Sequence, residues 1–341
     1  MSKKQLEELV EELRARAAAL GFAALWVTDA GPFEAWAQAV RARGDGFGAS
    51  LSPDPRAILP TARRVVALVY PFRAEPGPAF PQVHVSPYYL ASHSAHRAAP
   101  ALADWLQESG WQALAHPRLP VKAAAMRAGA GRYGRNGLLL TEDYGSNVAL
   151  ALLLTDAELP LDAPIQTGAE PDGLLAQACR DCARCVRACP VGALNGTSAV
   201  DTSRCLRVHM FSDKPAPEAY RAAMDNRLLG CDDCQRACPC NIRAQKNAPQ
   251  ANALPLALDA LLGSDASRGE AYEAMVEGVG ANFARRHWIL AQAALLAGNS
   301  GDARYLSALA PLCDDENGPI REHARWAAEK LRQKPRQTQK L

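Results

Sequence analysis

The spacing of cysteines between residues 179 and 240 constrains this chain more than any other feature. Nine of the ten cysteines fall there. Cys179, Cys182, Cys185, Cys189 and Pro190 form a C-x2-C-x2-C-x3-C-P run, and Cys231, Cys234, Cys238 and Pro239 form C-x2-C-x3-C-P. Cys205 stands between them. In the first pattern three close cysteines wrap one [4Fe-4S] cubane and the fourth reaches a second one. The second run is one cysteine short, and Cys205 supplies the missing ligand. The predicted partition is Cys179, Cys182, Cys185 and Cys238 on one cluster, with Cys189, Cys205, Cys231 and Cys234 on the other. Two structural zinc sites are the alternative, but zinc favours paired C-x2-C motifs over a C-x2-C-x2-C-x3-C-P run. Cys240 is a ninth thiol, read as a small buried side chain, an alternate ligand or a redox-sensitive group. Cys313, in a helical pattern, reads as packing.

The chain has 341 residues, 48% hydrophobic and 22% charged, which suffices for two or three domains with cores of their own. A net charge of +2 carries no global signal for a polyanion, so any nucleic-acid surface has to be local. The opening MSKKQLEELVEELRARAAALGF has no signal-peptide apolar region, and no stretch approaches the ~18 uncharged apolar residues of a membrane span. A cytoplasmic, non-membrane protein is expected. In that reducing compartment clustered cysteines act as metal or redox ligands and not as disulfides.

Leu6, Leu9, Val10, Leu13, Ala17 and Leu20 recur at helical spacing, and FAALWVTD after them reads as a strand. AWAQAVRARG and SAHRAAPALADWLQESG read as helices, and the β-branched run RVVALVY (64–70) as a buried strand. GAGRYGRNG (129–137), with four glycines, reads as a loop, and the apolar runs on either side of Glu142-Asp143-Tyr144-Gly145 predict a hairpin. An α/β layered domain fits the chain to about residue 160, followed by a polar linker over 159–174 and then the cysteine module. From 251 onward only helical patterns appear, in the manner of stacked HEAT-type pairs. The terminal LRQKPRQTQKL reads as a solvated tail or as an arm touching phosphates.

With these motifs in place, the whole chain resembles the epoxyqueuosine reductase family. DPRAILPTARRVVALVY is similar to the segment around that family's corrinoid-proximal arginine. GAGRYGRNGLLL is similar to its Gly-Lys-Asn loop, with Arg135 in place of lysine, and DYGS (143–146) to its Tyr/Phe-Gly-Ser turn. CDDCQRACP (231–239) is close to identical to a run whose first four residues also approach the corrinoid. RRHWILAQAALLAGNSGDARYLSAL and REHARWA follow its repeat pattern.

The resemblance implies an α+β fold class. A nitroreductase-like α/β corrin-binding domain would cover residues 1–165, a two-cluster ferredoxin-like module 166–250, a HEAT-like helical repeat 251–335 and a basic tail 336–341. It implies two [4Fe-4S] clusters and cobalamin as cofactors, with cofactor contacts at Arg56, Arg135, Asn136, Leu139, Ser146, Cys231, Asp232, Asp233 and Cys234. It implies reduction of the epoxide of epoxyqueuosine in tRNA by a monomer fed from an external low-potential electron donor. The released oxygen needs a proton, so a general acid must stand over the site.

Two departures matter. The family carries an acidic donor about twenty residues before the Gly-Lys-Asn loop; here that stretch reads Ala115-His116-Pro117, with no Asp or Glu. His116 is the replacement at that place. Tyr88, Tyr89, His93, His96 and Tyr133 are further titratable groups, each more commonly structural. A tyrosine beside Arg135 is the more suggestive pair, because a cation stabilises the phenolate left after proton donation; reductive dehalogenases, a related corrinoid family, use a tyrosine in that way. The catalytic candidates are therefore His116, Tyr133 and Arg135. The second departure is Leu206-Arg207-Val208-His209-Met210 after Cys205, where the family usually has an Ile-Ser-Tyr-like run. That segment borders the family's corrin pocket and makes His209 a further cofactor-contact candidate. Two other functions stay open: a paralogue that cleaves a C–O or C–halogen bond in a small-molecule substrate, and a non-catalytic electron carrier or redox sensor. An N-terminal domain of roughly 160 residues speaks against the last.

Overall fold

The computed structural model describes residues 2–44, 46, 48–74, 77–162, 175–244, 246, 249 and 253–333. Most of the linker expected over 159–174, and the basic tail, lie outside the described residues.

The N-terminal part is built on a four-stranded antiparallel sheet. Arg64–Pro71 and Val148–Thr155 are its central strands, with Ala24–Asp29 at one edge and Ala113–Ala115 at the other. RVVALVYP and VALALLLT are near-continuous apolar runs because both sheet faces are covered. Val66, Leu68, Ala149, Ala151 and Leu153 meet the helices Lys3–Ala19 and Pro87–Glu108 on one face. Val65, Ala67, Val69, Leu152 and Leu154 meet the helix Val121–Ala128 and Phe33 on the other. The alternation of neighbours between faces is the period of two of a strand. Ser2 opens the first helix with a capping box: its Oγ accepts from the Gln5 amide at 3.3 Å and its own amide donates to Gln5 Oε1 at 2.7 Å.

Three local expectations change. Leu139–Leu140 does not pair with Val148–Thr155 as a hairpin; it pairs with Arg132–Tyr133, closing the glycine loop on itself. The apolar character common to both runs reflects burial, which does not say which partner each takes. The helix expected from Ser94 begins at Pro87 and continues through Pro100; proline at its first turn lacks an N–H that would have no partner there in any case. The segment from 251 is not purely helical, because Leu256–Ala257 pairs with Gln82–Val85, which also pairs with Arg227–Leu229.

The cysteine module and the C-terminal helices share one core. Val191, Leu206, Met210, Leu228 and Leu229 pack with Leu295, Leu296, Ala327 and Leu331, and Tyr89 of the sheet domain inserts into the same cluster. The helices Arg286–Ser300 and Gly318–Gln333 enclose His323, which is 3% exposed. Its Nε2 accepts from the Ala216 amide at 2.9 Å and its Nδ1 donates to the Ala291 carbonyl at 2.9 Å, which fixes the neutral tautomer. Burial, and then Arg221, push His323 down to about 4. The unfolded chain takes up this proton near pH 6.5 and the folded chain only near 4. The stability tied to the neutral ring is therefore complete above pH 6.5 and is lost as pH falls toward 4, by about 3 kcal/mol in all. Urea unfolding at pH 7 and pH 4.5 should show this loss in the wild type and a smaller one in His323→Gln.

Candidate active site

The two cysteine runs each turn through a short helix, Arg184–Ala188 and Asp233–Arg236, and these helices pack against each other. Their thiols fall into two neighbourhoods. Cys179, Cys182, Cys185 and Cys238 line one cavity of about 620 Å³, together with Cys240, Arg135 and Asn136. Burial, and then the neighbouring sulfurs of Cys231, Cys205, Cys185 and Cys189, push the Cys234 thiol well up. Cys205 in turn feels Cys189. Burial pushes Cys231 up to about 12 and Cys238 up to about 11. Thiols so disfavoured as bare thiolates fit a cluster, whose iron ions supply the positive charge that thiolate ligands require. Four thiols around one cavity, and Cys189, Cys205 and Cys231 within reach of Cys234 beside it, fit two cubanes.

Arg135 serves this module and not Tyr133. Its Nε donates to the Cys179 carbonyl at 2.7 Å, one terminal nitrogen to the Arg180 carbonyl at 2.8 Å and the other to the Gly196 carbonyl. The guanidinium thus braces the first cysteine loop. Asn136 is buried, with Oδ1 accepting from the Leu138 amide, and Leu139 is buried in the sheet-domain core. Ser146 is buried in the seam between sheet domain and module, where its amide donates to Asn241 Oδ1 at 2.7 Å and its carbonyl accepts from Gln235 Nε2 at 2.8 Å. Asn147 beside it has both side-chain amide atoms buried without a partner.

The CDDC loop is held by charge. One Arg227 terminal nitrogen donates to both Asp233 carboxylate oxygens, at 3.0 and 2.9 Å, and Oδ1 accepts a further bond from Arg236. Asp232 is 3% exposed and meets His84 Nε2 at 3.3 Å. Burial works against its charge, but the His84 hydrogen bond and the Arg236 charge outweigh it and hold the carboxyl below its ordinary range.

Other predicted residues lie apart. Arg56 reaches the Ala62 carbonyl and lines a recess with Trp111 and Asp156, at the end of the sheet opposite the seam. His116, with φ 53°, stacks on His96 at 3.9 Å; its Nε2 bonds the His96 carbonyl, and burial lowers its pKa. His209 bonds the Ser203 carbonyl at 3.0 Å and leans on Tyr220. His116, Tyr133 and Arg135 thus have separate partners.

Two residues outside those sets do converge. Lys122 and Arg207 are exposed side chains close enough for each charge to act on the other. Lys122 Nζ donates to the Gly137 carbonyl at 2.5 Å and stands 5.6 Å from the centre of the Tyr133 ring. Arg207 Nε donates to the Tyr89 hydroxyl at 2.7 Å and lies 5.8 Å from the Tyr88 ring. Burial, and then Arg207, push Lys122 down to about 8; burial pushes Tyr133 up to about 12. Tyr89 rests on Gly230, the residue before Cys231, and Arg207 follows Cys205 by two residues. Tyr89 and Arg207 therefore adjoin the second thiol set. Lys122 gave no sequence signal beyond its place in the stretch that lacks the acid.

The profile of the 4Fe-4S double cluster binding domain matches residues 178–241. The epoxyqueuosine reductase of Gloeobacter violaceus is 32% identical over 259 residues, covering 69% of this chain and 77% of that protein. That of Shewanella oneidensis is 39% identical over 118 residues, 34% of this chain and 28% of its own length. A crystal structure of epoxyqueuosine reductase with a tRNA-Tyr epoxyqueuosine-modified stem loop superposes with a TM-score of 0.80 at 24% identity, covering 96% of this chain and 91% of that one, which shows the shared fold. With the two thiol neighbourhoods and this extent of similarity, the chain belongs to the epoxyqueuosine reductase family.

Proposed function

We propose that this oxidoreductase reduces the epoxide of epoxyqueuosine in tRNA, giving queuosine. The observation that carries the reading is the family similarity over 259 residues, joined to the two thiol neighbourhoods of the cysteine module. The crystallised relative with a modified tRNA stem loop supports tRNA as the partner. We propose cobalamin as the further cofactor, contacted at the seam beside Ser146 and the CDDC loop of Cys231, Asp232, Asp233 and Cys234. The side-chain amide of Asn147, buried with no hydrogen-bond partner, supports a ligand rich in polar groups. Cobalamin, when bound, supplies the reduction of the C–O bond.

The chain's own residues do the rest in this reading. The eight cysteines hold the two clusters that would pass single electrons inward from an external low-potential donor. Arg135 holds the first cysteine loop, while Arg227 and Arg236 hold the second through Asp233. Lys122 and Arg207 set a positive field beside the segment that carries Cys205. The sheet domain acts as a nitroreductase-like platform over 1–165, the module over 166–250, and the helices over 251–335 as a HEAT-like repeat. The setting is cytoplasmic, the form monomeric, and the basic tail at 336–341 an arm for phosphates. No helix among the described residues is long and apolar enough to cross a membrane.

The test is conversion of an epoxyqueuosine-bearing anticodon stem loop by protein reconstituted anaerobically with iron, sulfide and cobalamin, alongside an organohalide and a simple aliphatic epoxide. Turnover of the small molecules alone moves the reading to a small-molecule reductase.

A further inference from the structure

A [4Fe-4S] cubane takes four thiolates, one for each iron. The second thiol set has four, and Cys313 packs with the C-terminal helices. The first cavity is lined by five: Cys179, Cys182, Cys185, Cys238 and Cys240. Cys240 follows Cys238 across a single proline and lies in the first turn of the short helix Pro239–Ala244. It is half-buried and packs against a small cluster made by the buried side chains of Leu140, Cys179 and Cys238. Its backbone is held by the seam between sheet domain and module. The Ser146 amide donates to Asn241 Oδ1 at 2.7 Å, and Asn241 Nδ2 donates to the Ser146 hydroxyl at 3.0 Å and to the Gln235 carbonyl at 2.8 Å. Gly145, with φ +55°, comes so close that a Cβ there would stand 3.1 Å from the Cys240 carbonyl carbon. The chain at 240–241 is thus clamped from the sheet-domain side, which keeps Cys240 on the cavity wall independently of what Cys238 binds.

Resting on the two-cubane reading above, we propose that Cys240 is an alternative ligand of the first cluster, able to take the place of Cys238. Both thiols belong to one turn of chain, both border the same cavity, and both pack in one cluster with Cys179. Their closeness also shows in the charge felt by Cys179. Burial raises that thiol most, and among the sulfurs around it Cys240 acts ahead of Cys182, which belongs to Cys179's own run. The exchange breaks one iron–sulfur bond at Cys238 and forms one at Cys240. A proton leaves the Cys240 thiol as it binds, Cys238 takes one up as it is released, and no electron moves. The cluster has four thiolates before and after. The exchange matters at this cavity because the cavity opens to solvent: Asp181, Arg184 and Arg187 on its wall are exposed, and Ile242 is 57% exposed. A competing ligand that enters there and displaces one thiol meets another beside it. The second set, whose fourth thiol is the outlying Cys205, has no such arrangement.

The experiment counts iron after anaerobic reconstitution of the full chain as wild type, Cys238→Ala, Cys238→Ser and the double variant Cys238→Ala with Cys240→Ala. Iodoacetamide labelling of Cys240 is followed by peptide mass spectrometry, and the dithionite-reduced clusters by EPR. Wild type and both single variants should hold about eight irons, and the double variant about four. In the single variants Cys240 should resist iodoacetamide until the iron is chelated, and the signal of the first cluster should persist with altered g-values, since one ligand has changed. Serine keeps the size of the side chain, so Cys238→Ser should give the same result where alanine leaves the turn too loose. About four irons in both single variants, the loss expected at the second set when Cys205 is removed, overturns the assignment alone. So does a double variant that holds about eight, or a Cys240 that is alkylated in a single variant while about eight irons stay bound. Failure of both single variants to fold overturns it as well, because a cluster held through Cys240 keeps the module together. A wild type that binds well short of about eight irons removes the two-cubane reading, and this assignment with it.

Discussion

Cys205→Ala is expected to lower iron from about eight to about four per chain and to abolish stem-loop turnover. Cys205 lies outside both cysteine runs, at the N-cap of the short helix Leu206–His209, and its thiol shares the neighbourhood of Cys189 and Cys234. Removing it leaves three thiolates for the second cubane while the first keeps Cys179, Cys182, Cys185 and Cys238 around their cavity. The surviving cluster should still accept an electron from dithionite and give a reduced-cubane EPR signal. The relay would then stop at the first cluster. Cys240→Ala serves as the comparison: Cys240 lines the first cavity beside four other thiols, so about eight irons should remain. Equal loss of iron in both variants would refute the four-and-four division.

Gly230→Ala should destabilise the chain and disturb the second cluster together. Gly230 has φ +87°, and a Cβ placed there would come within 2.6 Å of Tyr89 and 2.8 Å of Ser86. Left-handed backbone costs a non-glycine residue about 1–2 kcal/mol, and overpacking a filled core about 1–3 kcal/mol more. Tyr89 has little freedom to give way, being 1% exposed, wedged edge-on against Phe283 and bonded to Arg207. Relief must come from the Gly230 side, which carries Cys231. Gly110→Ala separates the two terms: Gly110 has φ +90°, and a Cβ added there would meet nothing within 4 Å, so it reports backbone strain alone. Denaturant midpoints of the two variants should differ by about 1–3 kcal/mol, with iron lost only from Gly230→Ala. Equal midpoints would show that the Tyr89 contact is slack.

The cysteine positions were legible because ligand spacing in a cubane is largely local: three thiols within seven residues wrap one cluster whatever surrounds them. The strands Ala24–Asp29 and Arg64–Pro71 and the first helix were legible for a similar reason, since burial of a face imprints a period on the sequence. What a run pairs with is not local. Leu139–Leu140 and Leu256–Ala257 take partners that only the assembled layers determine. The same limit hid the neighbourhood of Lys122 and Arg207. The Arg207–Tyr89 bond joins residues 118 positions apart, and Lys122 matters through Gly137 and Arg207, not through its own neighbours. Arg135 shows the converse: its place in a glycine loop suggested chemistry, but three backbone carbonyls of the cysteine module claim its guanidinium.

Nucleoside mass spectrometry of an epoxyqueuosine-bearing stem loop, after incubation with the reconstituted protein and a low-potential reductant, tests the assigned reaction most directly. Queuosine should replace epoxyqueuosine over several turnovers, and none should form when cobalamin or the reductant is withheld. Intact epoxyqueuosine after incubation with protein that holds about eight irons and bound cobalamin would contradict it.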